Sequence, residues 1–205
     1  MDHSLSGKEM IDLVGGRANI MNYRDLQKYD NIDDALGEYG ALILLYESRD
    51  NYGHWTLVFK TPEGYIEHFD SYGYKPDEEI KGIPEYYRKK NYNKVPHLTY
   101  LLFTSRIPVR FSQYKLQKKG PMINTCGRWV GLRLLLRDLT EDQFKDLMTA
   151  NDSDPANANE SDPANANESD PANANESDPA NANAKKRGLS PDELVTIVTD
   201  HLMNR

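Results

Sequence analysis

The sequence predicts an α+β fold in which a mixed central β-sheet packs against a buried helix, with further helices flanking; that helix carries the only cysteine, Cys126, at its N-terminus. Three observations predict it. Residues 41–46, 54–60 and 64–70 (ALILLY, HWTLVFK, GYIEHFD) are of strand length and rich in aliphatic, aromatic and β-branched residues. After Cys126, Trp129, Val130, Leu132, Leu134, Leu135 and Leu136 supply a nearly continuous apolar run of helical length, and Gly120-Pro121 breaks the chain before it. Helix-start patterns at Ser6, Thr140 and Ser190 supply the flanking helices.

Taken in order, Ser6-Gly7-Lys8-Glu9 has the capping-box pattern, and Met10, Ile11, Leu13 and Val14 form a short amphipathic helix that Gly15-Gly16 ends. A second short helix is expected over residues 22–29 and a helical turn around Ile32, Ala35 and Leu36, stopped by Gly37 and Gly40. Residues 41–46 read as a buried strand. Residues 54–60 and 64–70 then form a hairpin around Thr61-Pro62-Glu63, with Pro62 at the second position of a type I turn and Gly64 in the left-handed position. This pairing joins Lys60 to Gly64 and sets His54 directly opposite Asp70, with Cβ atoms about 5 Å apart.

Beyond the hairpin, residues 71–74 are a loop and residues 77–90 a helix interrupted at Pro84. Residues 98–103 (LTYLLF) and 109–117 (VRFSQYKLQ) read as two more strands, the second by its alternation. The Cys126 helix follows, with Asn124 or Thr125 as cap and with Gly127 and Gly131, four apart on one face, leaving room for a close neighbour. Thr140 caps the next helix, which buries Phe144, Leu147 and Met148. The last helix, begun at Ser190-Pro191, turns Leu194, Ile197, Val198, His201 and Leu202 inward.

From Ser153 the unit SDPANAN recurs four times at an eight-residue period, with glutamates between the copies. It contains no residue able to fill a core, so a solenoid is excluded and a disordered insertion expected. The organisation is thus a domain over 1–151, a repeat insertion over 152–183, and a C-terminal helix within 184–205 that docks back on the domain. The net charge of −7 is local, because the insertion holds eight acidic residues and leaves the rest of the chain near neutral. Small basic clusters such as Arg88-Lys89-Lys90 read as solvated surface and give no argument for nucleic acid. One cysteine excludes an internal disulfide, and the five histidines show no ligand pairing of the usual kind, so neither metal nor cofactor is expected. No stretch resembles a signal peptide or a membrane span, which points to a soluble intracellular protein, expected to be a monomer and to need no membrane.

The chemistry rests on a combination. A lone cysteine reads as a small buried apolar residue and a lone histidine as structural. A thiol at a helix N-terminus is more readily ionised than a free one, since the first amides and the helix dipole favour an anion. Set beside His54 at a strand edge and a carboxylate, Asp70, on the neighbouring strand, Cys126 completes a nucleophile, its base and the group that orients the base. The oxyanion donor is Gln117 or Gln113, with the nearer Gln117 preferred, together with the Cys126 amide. Trp55 and Asn124 are candidates to line the substrate site, although core packing explains the first and helix capping the second.

The order His54, Asp70, Gln117, Cys126, carried by GHWTLVF, YIEHFDSYG and LQKKGPMINTCGRWVGL, resembles the adenain-like cysteine proteases. That group includes the adenovirus maturation protease, the maturation proteases of large DNA viruses and virophages and, more distantly, the SUMO-specific proteases. The likeness spans residues 41–138, and its TCGRW segment looks most like the viral branch. It implies Cys126 as nucleophile, His54 as base, Asp70 as orienter and Gln117 as oxyanion donor, though Gln117 and Cys126 stand further apart than is usual in that group. It also implies cleavage after small residues such as Gly-Gly in viral capsid precursor proteins during maturation, in the virion and the host-cell cytoplasm, with room for an activating peptide or DNA. Three rivals share parts of this pattern: an isopeptidase for a ubiquitin-like modifier, an acetyltransferase of the same catalytic order, and a binding module without activity. Because loop-closure entropy grows slowly with length, deleting residues 152–183 is expected to leave kcat and KM on a peptide substrate nearly intact; a large loss would mean that the repeat does more than link two helices.

Overall fold

A computed structural model describes residues 3–92, 96–120, 123–150 and 189–204. The repeat insertion expected over 152–183 and the break at Pro121 lie outside the described residues. The fold is α+β, built on five strands in the spatial order β1 (Asn19–Asn22), β2 (Ala41–Arg49), β3 (Tyr52–Lys60), β4 (Ile66–Phe69) and β5 (Val109–Phe111). β2, β3 and β4 pair antiparallel, whereas β1 runs parallel to β2 and β5 parallel to β4, so the sheet is mixed. Around it lie α1 (Gly7–Val14), α2 (Ile32–Leu36), α3 (Glu85–Asn91), α4 (His97–Phe103), α5 (Cys126–Leu135), α6 (Glu141–Thr149) and α7 (Pro191–Met203).

The apolar run of β2 has a simple origin, because both faces of the sheet are covered. Ala41, Ile43 and Leu45 join Trp55, Leu57, Phe59 and Phe69 in a core closed by α1, α5, α6 and α7. The alternate residues Leu42, Leu44 and Tyr46 join Val58 and Ile66 in a second core with Leu26, Leu36, Leu98 and Leu101. The capping boxes at Ser6, Thr140 and Ser190 are all formed, each side chain and its partner three residues on satisfying one another's amides.

Several local expectations are corrected. Residues 98–103 are the helix α4, not a strand: Pro96 precedes it, and Leu98, Leu101 and Leu102 point inward at helical spacing while Tyr100 and Phe103 are exposed. Only Val109–Phe111 of the expected strand 109–117 pairs with the sheet. Beyond it, the amides of Leu116 and Gln117 both donate to the Ser71 carbonyl, drawing the chain off β4 toward the loop that follows it. The helix of residues 22–29 is of the 3-10 kind, over Tyr23–Lys28, while residues 77–90 are interrupted at Pro84 as expected, giving a 3-10 turn, Glu78–Gly82, and α3. Leu147 of α6 and Ile197 and His201 of α7 are exposed; α7 instead buries Asp192, Val195 and Thr199.

The hairpin register also differs. Gly64 donates to the Thr61 carbonyl across a turn with Pro62 second, but Gly64, at φ 87°, is the last residue of the loop and not the first paired one. Thr61 therefore closes the loop with Tyr65, Lys60 faces Ile66, and His54 is paired with Tyr46 of β2 instead of standing opposite Asp70. The displacement is two residues, an even number, so the side chains keep their faces.

α5 packs on β3 and β4. A Cβ at Gly131 would stand 2.3 Å from Cδ2 of Leu13, and one at Gly127 3.0 Å from Cε of Met10, so these glycines admit the side chains of α1. Arg133 is fully buried and forks onto Glu67 of β4 with bonds of 2.8 and 2.7 Å, its guanidinium lying 4.9 Å from the Phe59 ring centre. Removing one partner strands a buried charge, so Glu67→Gln or Arg133→Met is expected to cost about 3–5 kcal/mol in denaturant unfolding, and the paired replacement with apolar residues much less.

Candidate active site

The end of the sheet where β3 begins and β4 ends collects the predicted residues. Gly53 allows it: a Cβ there would lie 1.9 Å from the Tyr46 carbonyl oxygen, so only glycine lets β3 start tight against β2, where the β2–β3 register shifts between Glu47 and Arg49. His54 follows and is buried. Its Nε2 meets Oδ2 of Asp70 at 3.0 Å. Asp70 sits just past β4, where its amide donates to Ser112 Oγ at 2.7 Å and its Oδ1 accepts from the Tyr72 amide at 2.8 Å. The Tyr72 ring stacks on the imidazole at 4.8 Å between centres, which fixes the ring plane.

Cys126 opens α5 and lines the same cleft as His54, Tyr72, Gln117 and Asn124, with a volume of about 160 Å³. Burial alone would push the His54 imidazole down. The Asp70 carboxylate, by charge and hydrogen bond, and the nearby Cys126 side chain hold it well above its ordinary value instead. Burial would likewise raise Asp70, but the charge and hydrogen bond of His54 keep it below its ordinary value. His54 thus gives Nε2 to Asp70 and shares its cleft with Cys126.

The two glutamines separate clearly. Gln117 is buried in the cleft: its Oε1 accepts from Ser71 Oγ at 2.7 Å, and its Nε2 donates to Tyr72 Oη at 3.1 Å and, less closely, to the Ile123 carbonyl at 3.4 Å. Gln113 is exposed, its amide donating to Glu141, and does not line the cleft. Asn124 does line it, with Oδ1 accepting from Tyr52 Oη at 3.0 Å across the opening. Trp55 does not: its indole is in the core and donates to the Leu5 carbonyl at 3.0 Å.

Ser71 and Tyr72 went unassigned from the sequence. The signal for Tyr72 was present, since an aspartate two residues ahead of an amide invites an Asx turn. A larger hollow of about 540 Å³ beside Asn19, Asp25 and Tyr29 holds no nucleophile and base, so volume does not mark the site. Among the described residues no group of three or more His, Cys, Asp or Glu could hold a metal, and no helix is long and apolar enough to cross a membrane.

No family profile and no solved structure matches the chain. Among curated proteins, an uncharacterized protein, V9, of Sputnik virophage is 42% identical over 142 residues, which cover 69% of this chain and 81% of that protein.

A second buried histidine sets a pH dependence. Among the described residues neither ring nitrogen of His68 finds a hydrogen-bond partner, and burial lowers its pKa to about 4. Between that value and 6.5 the unfolded chain binds the proton and the folded one does not, so His68 destabilises the fold increasingly as pH falls through this window. His68→Leu removes this term while leaving His54 and Asp70 in place. In unfolding titrations its stability relative to wild type is expected to gain about 2 kcal/mol on going from pH 7 to about pH 5; an unchanged difference would mean that His68 finds a proton partner in the fold.

Proposed function

This chain belongs to the family of the uncharacterized Sputnik virophage protein V9, and from that premise we propose that it is a cysteine endopeptidase of the adenain-like type. It acts after small residues in viral structural precursors during particle maturation, in the virion and the host-cell cytoplasm. The observation that carries the reading is His54, bonded at 3.0 Å to Asp70 and lining one cleft with Cys126. A buried helix that begins at the thiol and packs on the sheet supports the same family. The cleft of about 160 Å³ supports small residues beside the scissile bond.

In this reading the sulfur of Cys126 attacks the substrate carbonyl, and the carbonyl electrons move onto oxygen. Gln117 Nε2 receives that oxyanion with the Cys126 amide, releasing its longer contact to Ile123. The His54 imidazolium gives its proton to the leaving amine as the C–N bond breaks, and Asp70 holds the ring in place and stabilises its charge. Water then loses a proton to His54, attacks the thioester and frees the acid and the sulfur.

Peptides with Gly-Gly before the scissile bond test it. Cys126→Ala and His54→Ala are expected to lose at least about 10³-fold in kcat/KM and Gln117→Ala about 10²–10³-fold in kcat, with Gln113→Ala close to wild type. Turnover that survives Cys126→Ala would refute the assignment, and strong preference for a folded ubiquitin-like conjugate over these peptides would make the enzyme an isopeptidase.

A further inference from the structure

The helix that follows the SDPANAN repeats in sequence reaches back to the site through one residue. Asp192 is only 2% exposed, and three neutral donors satisfy its carboxylate. Oδ1 accepts from the Thr125 hydroxyl at 2.5 Å and the Trp129 indole at 2.9 Å, and Oδ2 accepts from the Lys118 amide at 2.9 Å. Those donors stand on both sides of the interval that separates Gln117 from Cys126. Lys118 directly follows the proposed oxyanion donor, Thr125 directly precedes the nucleophile, and Trp129 lies one turn into α5.

Resting on the peptidase reading, we propose that Asp192 is a positioning residue, which fixes Gln117 and Cys126 relative to each other. Two further features favour it. As the second residue of α7, Asp192 has its charge supported by that helix's own N-terminus. α7 in turn is fastened to α5 by Arg128, which donates to Thr199 Oγ1 at 2.7 Å and Asp200 Oδ1 at 2.6 Å, so the carboxylate has a fixed base. An anchor for α5 alone would need only one oxygen; the second oxygen goes to the segment that bears Gln117. Thr125, although at the N-cap position, makes no capping bond, because its hydroxyl is turned to Asp192. The donor and the nucleophile are thus registered by a residue that touches neither the substrate nor the reacting atoms.

Asp192→Asn keeps an oxygen for Thr125 and Trp129 and sets an amide N–H against the Lys118 N–H, so it severs the Gln117 side alone. A misplacement of about 1 Å costs on the order of 10²-fold, so kcat on a Gly-Gly peptide is expected to fall about 10–100-fold with KM within about threefold. Hydrogen exchange read by mass spectrometry should quicken in residues 117–120 and 123–129 and stay at wild-type rates across the sheet. Thr125→Val, which removes a single donor at constant shape, is expected to shift both readouts the same way by less, and serves if the first variant does not fold. Wild-type exchange in those two segments, wild-type kcat, or a loss of kcat matched by faster exchange throughout the chain would overturn the proposal. Should the wild type cleave no peptide, the peptidase reading fails by itself, and exchange alone decides: faster in the two segments upholds the link through Asp192, and unchanged rejects it.

Discussion

Arg133 and Glu67 meet in two short hydrogen bonds inside the core, and this contact sets where α5 lies along the sheet. From Arg133 back to Cys126 is seven residues of helix, about 10 Å at 1.5 Å per residue; from Glu67 on to Asp70 is three residues of strand, again about 10 Å. Cys126 and Asp70 are therefore delivered to the same end of the sheet. Apolar packing alone would tolerate a slide of α5, and a slip of one turn would move the thiol about 5.4 Å. A buried fork between charged groups does not tolerate it, which is the registry role best attested for such pairs. On the opposite side, Leu13 and Met10 of α1 press against Gly131 and Gly127 and close the helix into place.

At that end, three consecutive residues divide the remaining work. Asp70 bonds the imidazole, Ser71 holds Gln117 by a side-chain bond and its carbonyl takes the amides of Leu116 and Gln117, and Tyr72 stacks on His54 while its hydroxyl accepts from Gln117. The exit of β4 is thus a single turn that contacts both His54 and Gln117. It begins with the Asx bond that the Tyr72 amide donates to Asp70.

Local signals carried far into the fold. Capping boxes and the unbroken apolar run of β2 announced their elements, since both depend on neighbours in sequence or on burial of every side chain. The failures have separate causes. LTYLLF has too many apolar residues to show its helical period, and Asn19–Asn22 is too short to show any; it pairs because the edge of β2 is there. The hairpin was misregistered because the left-handed glycine was counted outside the loop that it ends. His54, Asp70, Cys126 and Gln117 lie together as their combination in the sequence suggests, and the even displacement in register keeps His54 and Asp70 on one face. Asp192 was not legible: an acid in a first turn is ordinary, and only tertiary packing turns this one inward.

The central proposed step is activation of Cys126 by His54, and a Gly-Gly peptide ending in a vinyl sulfone reads that step directly. Intact mass and peptide mapping should find one adduct, on Cys126, formed readily by the wild type and at least about 10²-fold more slowly by His54→Ala at the same pH. No adduct on the folded wild type, or an adduct formed equally fast without His54, would contradict the account.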